Sequence, residues 1–147
     1  MEWLSIILAI ISVALSLYTY TATVHHEKKK ATIDAFNLLQ NEVLDKFVCI
    51  TKENAEVIVA NLDDKKCKEA YDSYRALIAR IEHFAIGVKE KVYDFNVVDE
   101  LAGTHLIYLY KKIKPIIDNA NKNEKKIKHY CNFASLVDRL NHKYKIL

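Results

Sequence analysis

The N-terminal part of the chain is one long apolar run. From Trp3 to Val24 the sequence has no charged residue and is dominated by Ile, Leu, Val and Ala. At about 1.5 Å per residue, a helix of this length crosses a hydrocarbon core of about 30 Å. We therefore predict a transmembrane helix and take residues 1–26 as a membrane anchor.

The residues on either side of this run predict whether it is cleaved and how it is oriented in the membrane. A cleavable signal peptide would have a basic start, a shorter apolar core and a small-x-small cleavage site, whereas this chain starts Met1-Glu2. We therefore expect an uncleaved anchor. All 22 Lys and Arg residues follow Val24, beginning with Lys28, Lys29 and Lys30. The positive-inside rule then places the N-terminus outside and the C-terminal domain in the cytoplasm, as in a single-pass protein of the cell membrane.

Small and hydroxyl-bearing residues recur in the apolar run at alternating spacings of four and three. This spacing aligns them on one side of a helix, where small side chains let a second membrane helix approach closely. The alternative is that their hydroxyls bond to the carbonyl one turn earlier. We expect the first arrangement, and with it a homo-oligomer or a membrane partner. This small-residue face consists of Ser5, Ala9, Ser12, Ser16, Thr19 and Thr23.

Beyond the anchor, apolar residues keep the three-and-four spacing of α-helices. No Gly or Pro precedes Cys67, so the membrane helix is predicted to continue without a break into the next helix. Thr51 and the turn at residues 61–64 are predicted to cap the following two helices. We expect an all-α fold, with a bundle of about four helices over residues 27–118 and a basic C-terminal helix within 119–147. The predicted buried stripes are Phe36, Leu39, Val43, Phe47 and Ile50; Tyr74, Leu77, Ile78, Ile81, Phe84, Ala85, Val88 and Val92; Val98, Leu101, Ala102, His105, Leu109, Ile113 and Ile116; and Ile127, Tyr130, Cys131, Ala134, Val137 and Leu140.

Three residues interrupt the helical pattern around the fourth helix. Asp94 or Asn96 is predicted to cap it, and Pro115 is expected to kink or shorten it. The only two glycines, Gly87 and Gly103, lie inside predicted helices, where each costs about 1 kcal/mol relative to Ala. We expect glycine at these positions because two antiparallel helices cross closely there, and the absence of a side chain lets their backbones approach.

The charges divide the chain into an acidic middle and a basic end. Residues 31–110 hold 9 basic and 14 acidic side chains, and residues 111–147 hold 10 basic and 3 acidic ones. The basic end can fold onto the acidic helices, bind the anionic inner leaflet or bind nucleic acid, and we expect the first. Nucleic acid is not expected, because a net charge of +3 is small for that partner and no nucleic-acid motif accompanies it.

No motif in the sequence predicts an enzyme, a cofactor or a metal site. Glu-x-x-His, His-Glu-x-x-His, a Gly-rich phosphate loop and Gly-x-Ser-x-Gly are all absent. Arg139 comes nearest to a helical ribonuclease motif, although His142 stands too early and Lys145 occupies the position expected for its His. Glu82 and His105 border neighbouring apolar stripes and are expected to meet as a buried polar pair.

The run from Arg80 to Gly87, the pair Tyr93-Asp94, residues 100–103 and residues 110–117 together resemble a bacterial and phage-associated family of uncharacterised proteins. The resemblance covers residues 75–118 and leaves the C-terminal extension outside. It implies one N-terminal membrane helix and a small cytoplasmic helical domain, and some members are suspected of roles in phage infection or defence. It supplies no site residues.

These observations predict a membrane-anchored helical interaction module that serves as a scaffold, sensor or effector subunit. Its expected partners are the lipid bilayer, further copies of itself and another protein. One alternative is a helical ribonuclease-like enzyme that uses Arg139. The other is a small oligomeric pore lined by Ser5, Ser12, Ser16 and the two threonines of the small-residue face.

Overall fold

The computed structural model describes residues 2–122 and 128–144. Within these ranges the chain forms five α-helices, one short 3-10 turn and no strand, which confirms the all-α prediction. The elements are α1 (Glu2–Glu42), the 3-10 turn (Leu44–Phe47), α2 (Lys52–Ala60), α3 (Lys65–Lys89), α4 (Phe95–Lys122) and α5 (Cys131–Tyr144).

Helix α1 is continuous over 41 residues, as the absence of Gly and Pro predicted. Its two halves have different surroundings. Residues 3–27 are exposed, whereas from Thr32 onward one side of the helix is buried against α3 and α4. The first half of α1 therefore extends away from the bundle, and the second half is one of its helices.

The predicted caps are confirmed. The Thr51 side chain accepts a hydrogen bond from the Asn54 N–H at 3.2 Å, and Asp64 accepts one from the Cys67 N–H at 3.0 Å. At the start of α4, Asp94 accepts from the Asn96 N–H at 2.9 Å. Each cap satisfies a backbone donor that the first turn of a helix leaves without a partner.

One core joins α1, the 3-10 turn and all the later helices. The stripe predicted from Phe36 to Ile50 is entirely buried, although Phe47 and Ile50 follow the end of α1. In α3 the predicted stripe is buried or half-buried through Val88. Val92 is the exception, because α3 ends at Lys89 and leaves Val92 59% exposed.

Helix α4 is interrupted at Ala102 and not at Pro115. Ala102 has non-helical backbone angles (φ −156°, ψ 21°), and the helix runs past Pro115 to Lys122. After the interruption Leu106 and Ile107 are buried in place of His105, while Leu109, Ile113 and Ile116 are buried as predicted. The prediction that His105 is buried is therefore wrong; it is exposed, as is Leu101.

The basic C-terminal part of the chain is an integral part of the bundle. Helix α5 packs against α3 and α4 and buries Phe133, Leu136, Val137 and Leu140, so residues 131–144 fold onto the bundle as expected. The expectation that the helices beneath are acidic is wrong, because α3 has six basic and three acidic side chains and α4 has four basic and three acidic ones. The domain boundary expected at residue 118 falls inside α4. Cys131 is exposed, contrary to its predicted place in the stripe, and Ile127 and Lys145 lie outside the described residues.

Candidate functional site

The first half of α1 combines length, apolar character and exposure. In the part of the chain that the structure describes, α1 is the one helix long and apolar enough to cross a membrane, and its most apolar window is unburied. Large side chains such as Trp3, Ile10 and Leu17 are 60–79% exposed. Soluble proteins rarely expose an apolar patch larger than a few hundred Å². This half of α1 is therefore the candidate functional segment.

The small-residue face lies on the side of α1 opposite to the bundle. At about 100° per residue, the face from Ser5 to Thr23 is about 180° around the helix from Thr32 and Leu39, which contact the bundle. The hydroxyls of Ser16 and Thr23 donate to the carbonyls four residues earlier at 2.9 and 2.8 Å, and Thr19 does the same at 2.9 Å. For these three residues the structure has the back-bonded arrangement that was the alternative expectation.

Thr32 fastens α1 to the connection between α3 and α4. Its side chain is fully buried, donates to the Lys28 carbonyl at 2.7 Å and accepts from the Asp94 N–H at 2.8 Å. Asp94, itself buried, is also the cap of α4. One hydroxyl therefore joins the exit of the apolar segment, the loop at residues 90–94 and the first turn of α4.

The loop at residues 90–94, here the α3–α4 loop, is held in place by the ring of Tyr93. This ring stacks on Phe84 with 5.0 Å between the centroids and lies over Gly87, where a Cβ would come within 2.6 Å of Tyr93 Cδ2. The Tyr93 N–H also donates to the Gly87 carbonyl at 3.1 Å. The expectation of a close helix crossing at Gly87 is therefore wrong: the missing side chain admits a tyrosine ring.

A cleft of about 310 Å³ separates α1 from α3 next to this loop. Its walls are mainly apolar, including Leu38, Leu39 and Phe84, and His83 stands at its edge. Arg80 and Glu42 form an ion pair at 2.7 Å across it. The pair joins the end of α1 to the middle of α3, and both side chains are about half exposed.

Glu82 and His105 do not form the expected buried pair. The Glu82 carboxylate instead accepts the N–H groups of Asn132 and Phe133, at 3.0 and 2.7 Å, and so caps the first turn of α5. A carboxylate is favoured there because the N-terminus of a helix carries partial positive charge. His105 lies on the exposed side of α4, beside Tyr108. Sequence reasoning missed the cap because its partners lie 50 residues away along the chain.

A second carboxylate, Asp99, holds the other end of α5. Asp99 is buried and makes an ion pair with Lys143. Burial by itself raises the pKa of Asp99, but hydrogen bonds from Lys143 and Tyr144 outweigh that effect, and the pKa lies below its ordinary value. Gly103 makes room for this group, since a Cβ there would lie 2.5 Å from Asp99 Oδ1 and 3.1 Å from the Tyr144 ring. Gly103, like Gly87, therefore does not mark a crossing of α3 and α4.

The remaining candidate residues are placed apart from one another. The Arg139 guanidinium lies 3.6 Å from the centre of the Phe95 ring, while His142 pairs with Asp138 at 3.6 Å on the exposed side of α5. Among the described residues, no group of three or more His, Cys, Asp or Glu could hold a metal ion. Cys49 and Cys131 are free and exposed.

A comparison with protein families matches residues 6–140 to DUF4760, a domain of unknown function. The chain belongs to the DUF4760 family. The DUF4760 match begins inside the apolar run and ends in α5, so both belong to the unit that the family shares. The expectation that the resemblance stops at residue 118 is therefore wrong. No curated protein and no solved structure matches the chain.

Proposed function

We propose that this DUF4760 protein is a membrane-anchored interaction module, in which the first half of α1 crosses the cell membrane and the bundle lies in the cytoplasm. The proposal includes association with further copies of the chain and docking of a protein partner on the bundle. A connection with phage infection or defence is a prediction of the family resemblance alone.

The observation that carries the proposal is the exposure of a charge-free helical segment on a helix that continues into the bundle. Residues 3–24 contain no charged side chain, and all of them are exposed. In water this surface is unfavourable, whereas a hydrocarbon layer about 30 Å thick matches its length. Lys28, Lys29 and Lys30 follow at the end next to the bundle and support a cytoplasmic bundle.

Two lysines in the apolar half of α1 test the anchor. The change is Ile10→Lys with Val13→Lys, at positions 64% and 60% exposed. Each lysine near the centre of a membrane helix costs about 2.5–3.5 kcal/mol, so we expect this variant to leave the membrane fraction. The measurement is the division of the full chain between membrane pellet and supernatant after carbonate extraction.

The matched control places two lysines at exposed positions in the half of α1 that belongs to the bundle. Ile33→Lys with Asn37→Lys alters exposed positions of α1 and should stay in the pellet with the parent. Recovery of the parent in the supernatant, or of a membrane-bound chain whose intact mass lacks residues 1–24, would contradict the anchor.

The two exposed cysteines report the orientation in the same cells. Cys49 and Cys131 both lie in the bundle and are free. A cytoplasmic bundle keeps them from a membrane-impermeant maleimide in intact cells and makes them reactive after permeabilisation. Equal labelling before and after permeabilisation would place the bundle outside.

The contacts of the described residues favour neither alternative function. Arg139 is stacked on Phe95, and His142 pairs with Asp138 on the same helix, so the two do not face a common cleft. Three hydroxyls of the small-residue face bond to their own helix, which leaves them less able to line a hydrated pore. We therefore keep the interaction module as the proposal.

A further inference from the structure

We infer that the α3–α4 loop docks on the lipid headgroups of the leaflet from which α1 emerges, with Val92 as the side chain that enters the lipid layer. This inference rests on the proposed membrane span. It adds a second attachment of the chain to the bilayer, made by the folded bundle itself.

Two contacts show which end of the bundle carries the loop. Thr32, just after the apolar segment of α1, bonds to Asp94 of the loop, and Glu42, ten residues further along α1, pairs with Arg80 of α3. Helices α1 and α3 therefore run in opposite directions, and α3 rises toward the apolar segment before it ends at Lys89. Compared with α3 and α4 themselves, the loop that joins them lies nearest to the membrane end of α1.

The distances along the chain bring the loop to the level of the headgroups. Thr32 follows Val24 by eight residues, a rise of about 12 Å along α1. The headgroup layer of one leaflet is about 5–7 Å thick, which is half the difference between a whole bilayer and its hydrocarbon core. Val92 precedes Asp94 by two residues, which span at most about 7 Å. At full extension toward the membrane, Val92 therefore reaches to about 5 Å from the end of the apolar segment, which is within the headgroup layer.

The loop has the chemistry that an interfacial contact requires. Val92 is 59% exposed although it belongs to an apolar stripe, and Lys91 beside it has a left-handed backbone (φ 61°). Lys89, Glu90 and Lys91 directly precede Val92 and bring two positive charges and one negative charge, with the Lys89 ammonium donating to Asn132 of α5 at 3.2 Å. An apolar side chain flanked by lysines suits the boundary between acyl chains and headgroups.

The loop is also ordered before it meets lipid. The Lys91 N–H donates to the Val88 carbonyl at 3.2 Å, and Tyr93 is fixed by its stack on Phe84 and its bond to Gly87. Little backbone freedom then remains to be lost on docking, so a single apolar side chain can contribute to binding. The link through Thr32 keeps this loop at a fixed level relative to α1.

Three valines of nearly equal exposure allow a matched test in the full chain. With Cys49, Cys67 and Cys131 replaced by Ser, the variants Val13→Cys, Val57→Cys and Val92→Cys place one polarity-sensitive fluorophore at residues 60%, 57% and 59% exposed. Val13 lies in the apolar segment and Val57 in α2, away from the loop. Each protein is reconstituted into vesicles of phosphatidylcholine and phosphatidylglycerol, with and without brominated acyl chains.

We expect brominated lipid to quench the probes at positions 13 and 92 but not the probe at position 57. Iodide in the water should quench the probe at position 92 with about half the efficiency found at position 57, because one side of an interfacial probe faces lipid. Quenching by lipid at position 13, with position 92 behaving like position 57, would overturn the docked loop and leave the anchor intact. Water-like behaviour at position 13 would overturn the proposed function itself.

Discussion

Because Gly87 has no side chain, the Tyr93 ring can pack directly against the backbone of α3. The ring closes the α3–α4 loop over α3 and joins an aromatic cluster, since Phe84 also contacts Phe36 of α1 at 6.0 Å between centroids. From the sequence, the glycine could be recognised as costly in a helix, but its neighbour could not be identified. Gly87 and Tyr93 lie on either side of a turn whose path depends on Lys91. Lys91 has a left-handed backbone conformation, which no local sequence pattern predicts.

The replacement Gly87→Ala should destabilise the bundle. In an unobstructed helix the change would stabilise the fold by about 1 kcal/mol. Here the added Cβ meets the Tyr93 ring, so we expect the free energy of unfolding to fall by about 1–3 kcal/mol, as in an overpacked core. Thermal unfolding followed by circular dichroism in mild detergent measures the effect.

A second background separates the overlap from helix propensity. In a Tyr93→Ala chain the obstruction is gone, and Gly87→Ala should then be neutral or stabilising. Equal destabilisation in both backgrounds would show that the ring is not the cause.

At the scale of elements, α5 is held by a carboxylate at each end. Glu82 of α3 caps its first turn, and Asp99 of α4 pairs with Lys143 in its last turn. The Glu82 carboxylate at the start of α5 and the Lys143 cation at its end match the helix dipole, and Asp99 is the counter-ion of Lys143. The local caps Thr51 and Asp64 were predictable because donor and acceptor lie three residues apart. The ends of α5 were not, because they depend on how distant helices pack.

Two substitutions at the Asp99 pair should differ in cost. Lys143→Met leaves a buried carboxylate without its cation, whereas Asp99→Asn releases a half-exposed lysine into water, so we expect Lys143→Met to lower the melting temperature more. The melting temperatures of the two full-length variants at neutral pH test this order. The reverse order would show that the ion pair is not what Asp99 contributes.

The same pair predicts how stability depends on pH. Because the pKa of Asp99 is lowered in the fold, its contribution is present above the ordinary value of about 3.9 and is lost as the pH falls through the lower, folded value. The hydrogen bond to Asp99 raises the pKa of Lys143, so the lysine's contribution is lost only above its ordinary value of about 10.4. The gap in melting temperature between parent and Asp99→Asn should narrow only in acid below about pH 4 or in strong base.

At the scale of the whole molecule, α1 presents two different sides along one axis. The side with Thr32, Phe36 and Leu39 is buried in the bundle, and the small-residue face lies opposite. Two copies joined through that face would carry their bundles on the outside, where they do not obstruct the contact. The continuity of α1 was predictable from the absence of Gly and Pro. That the small-residue face lies opposite to the bundle-facing side could be worked out only once the residues that contact the bundle were known.

Leucine on the small-residue face should separate such copies. Ser12→Leu with Thr19→Leu blocks close helix approach, and we expect native mass spectrometry in mild detergent to change from a discrete oligomer to a single copy. The control, Ala14→Leu with Thr21→Leu, has the same spacing on the opposite side of α1 and should keep the parent's oligomer. A parent that is already a single copy, or a control that dissociates equally, would contradict association through this face.

In the proposed membrane-anchored form, the unbroken α1 would make the bundle responsive to the thickness of the membrane. A helix whose apolar segment exceeds the local hydrocarbon layer adapts by tilting, and mismatch of this kind differs between membranes. Residues 2–42 contain no hinge at which the tilt could be absorbed, and Thr32 fixes α1 to the α3–α4 loop. A thinner bilayer would therefore incline the entire bundle and press one edge of it toward the surface, so that lipid composition would set which face of the bundle is open to the proposed partners.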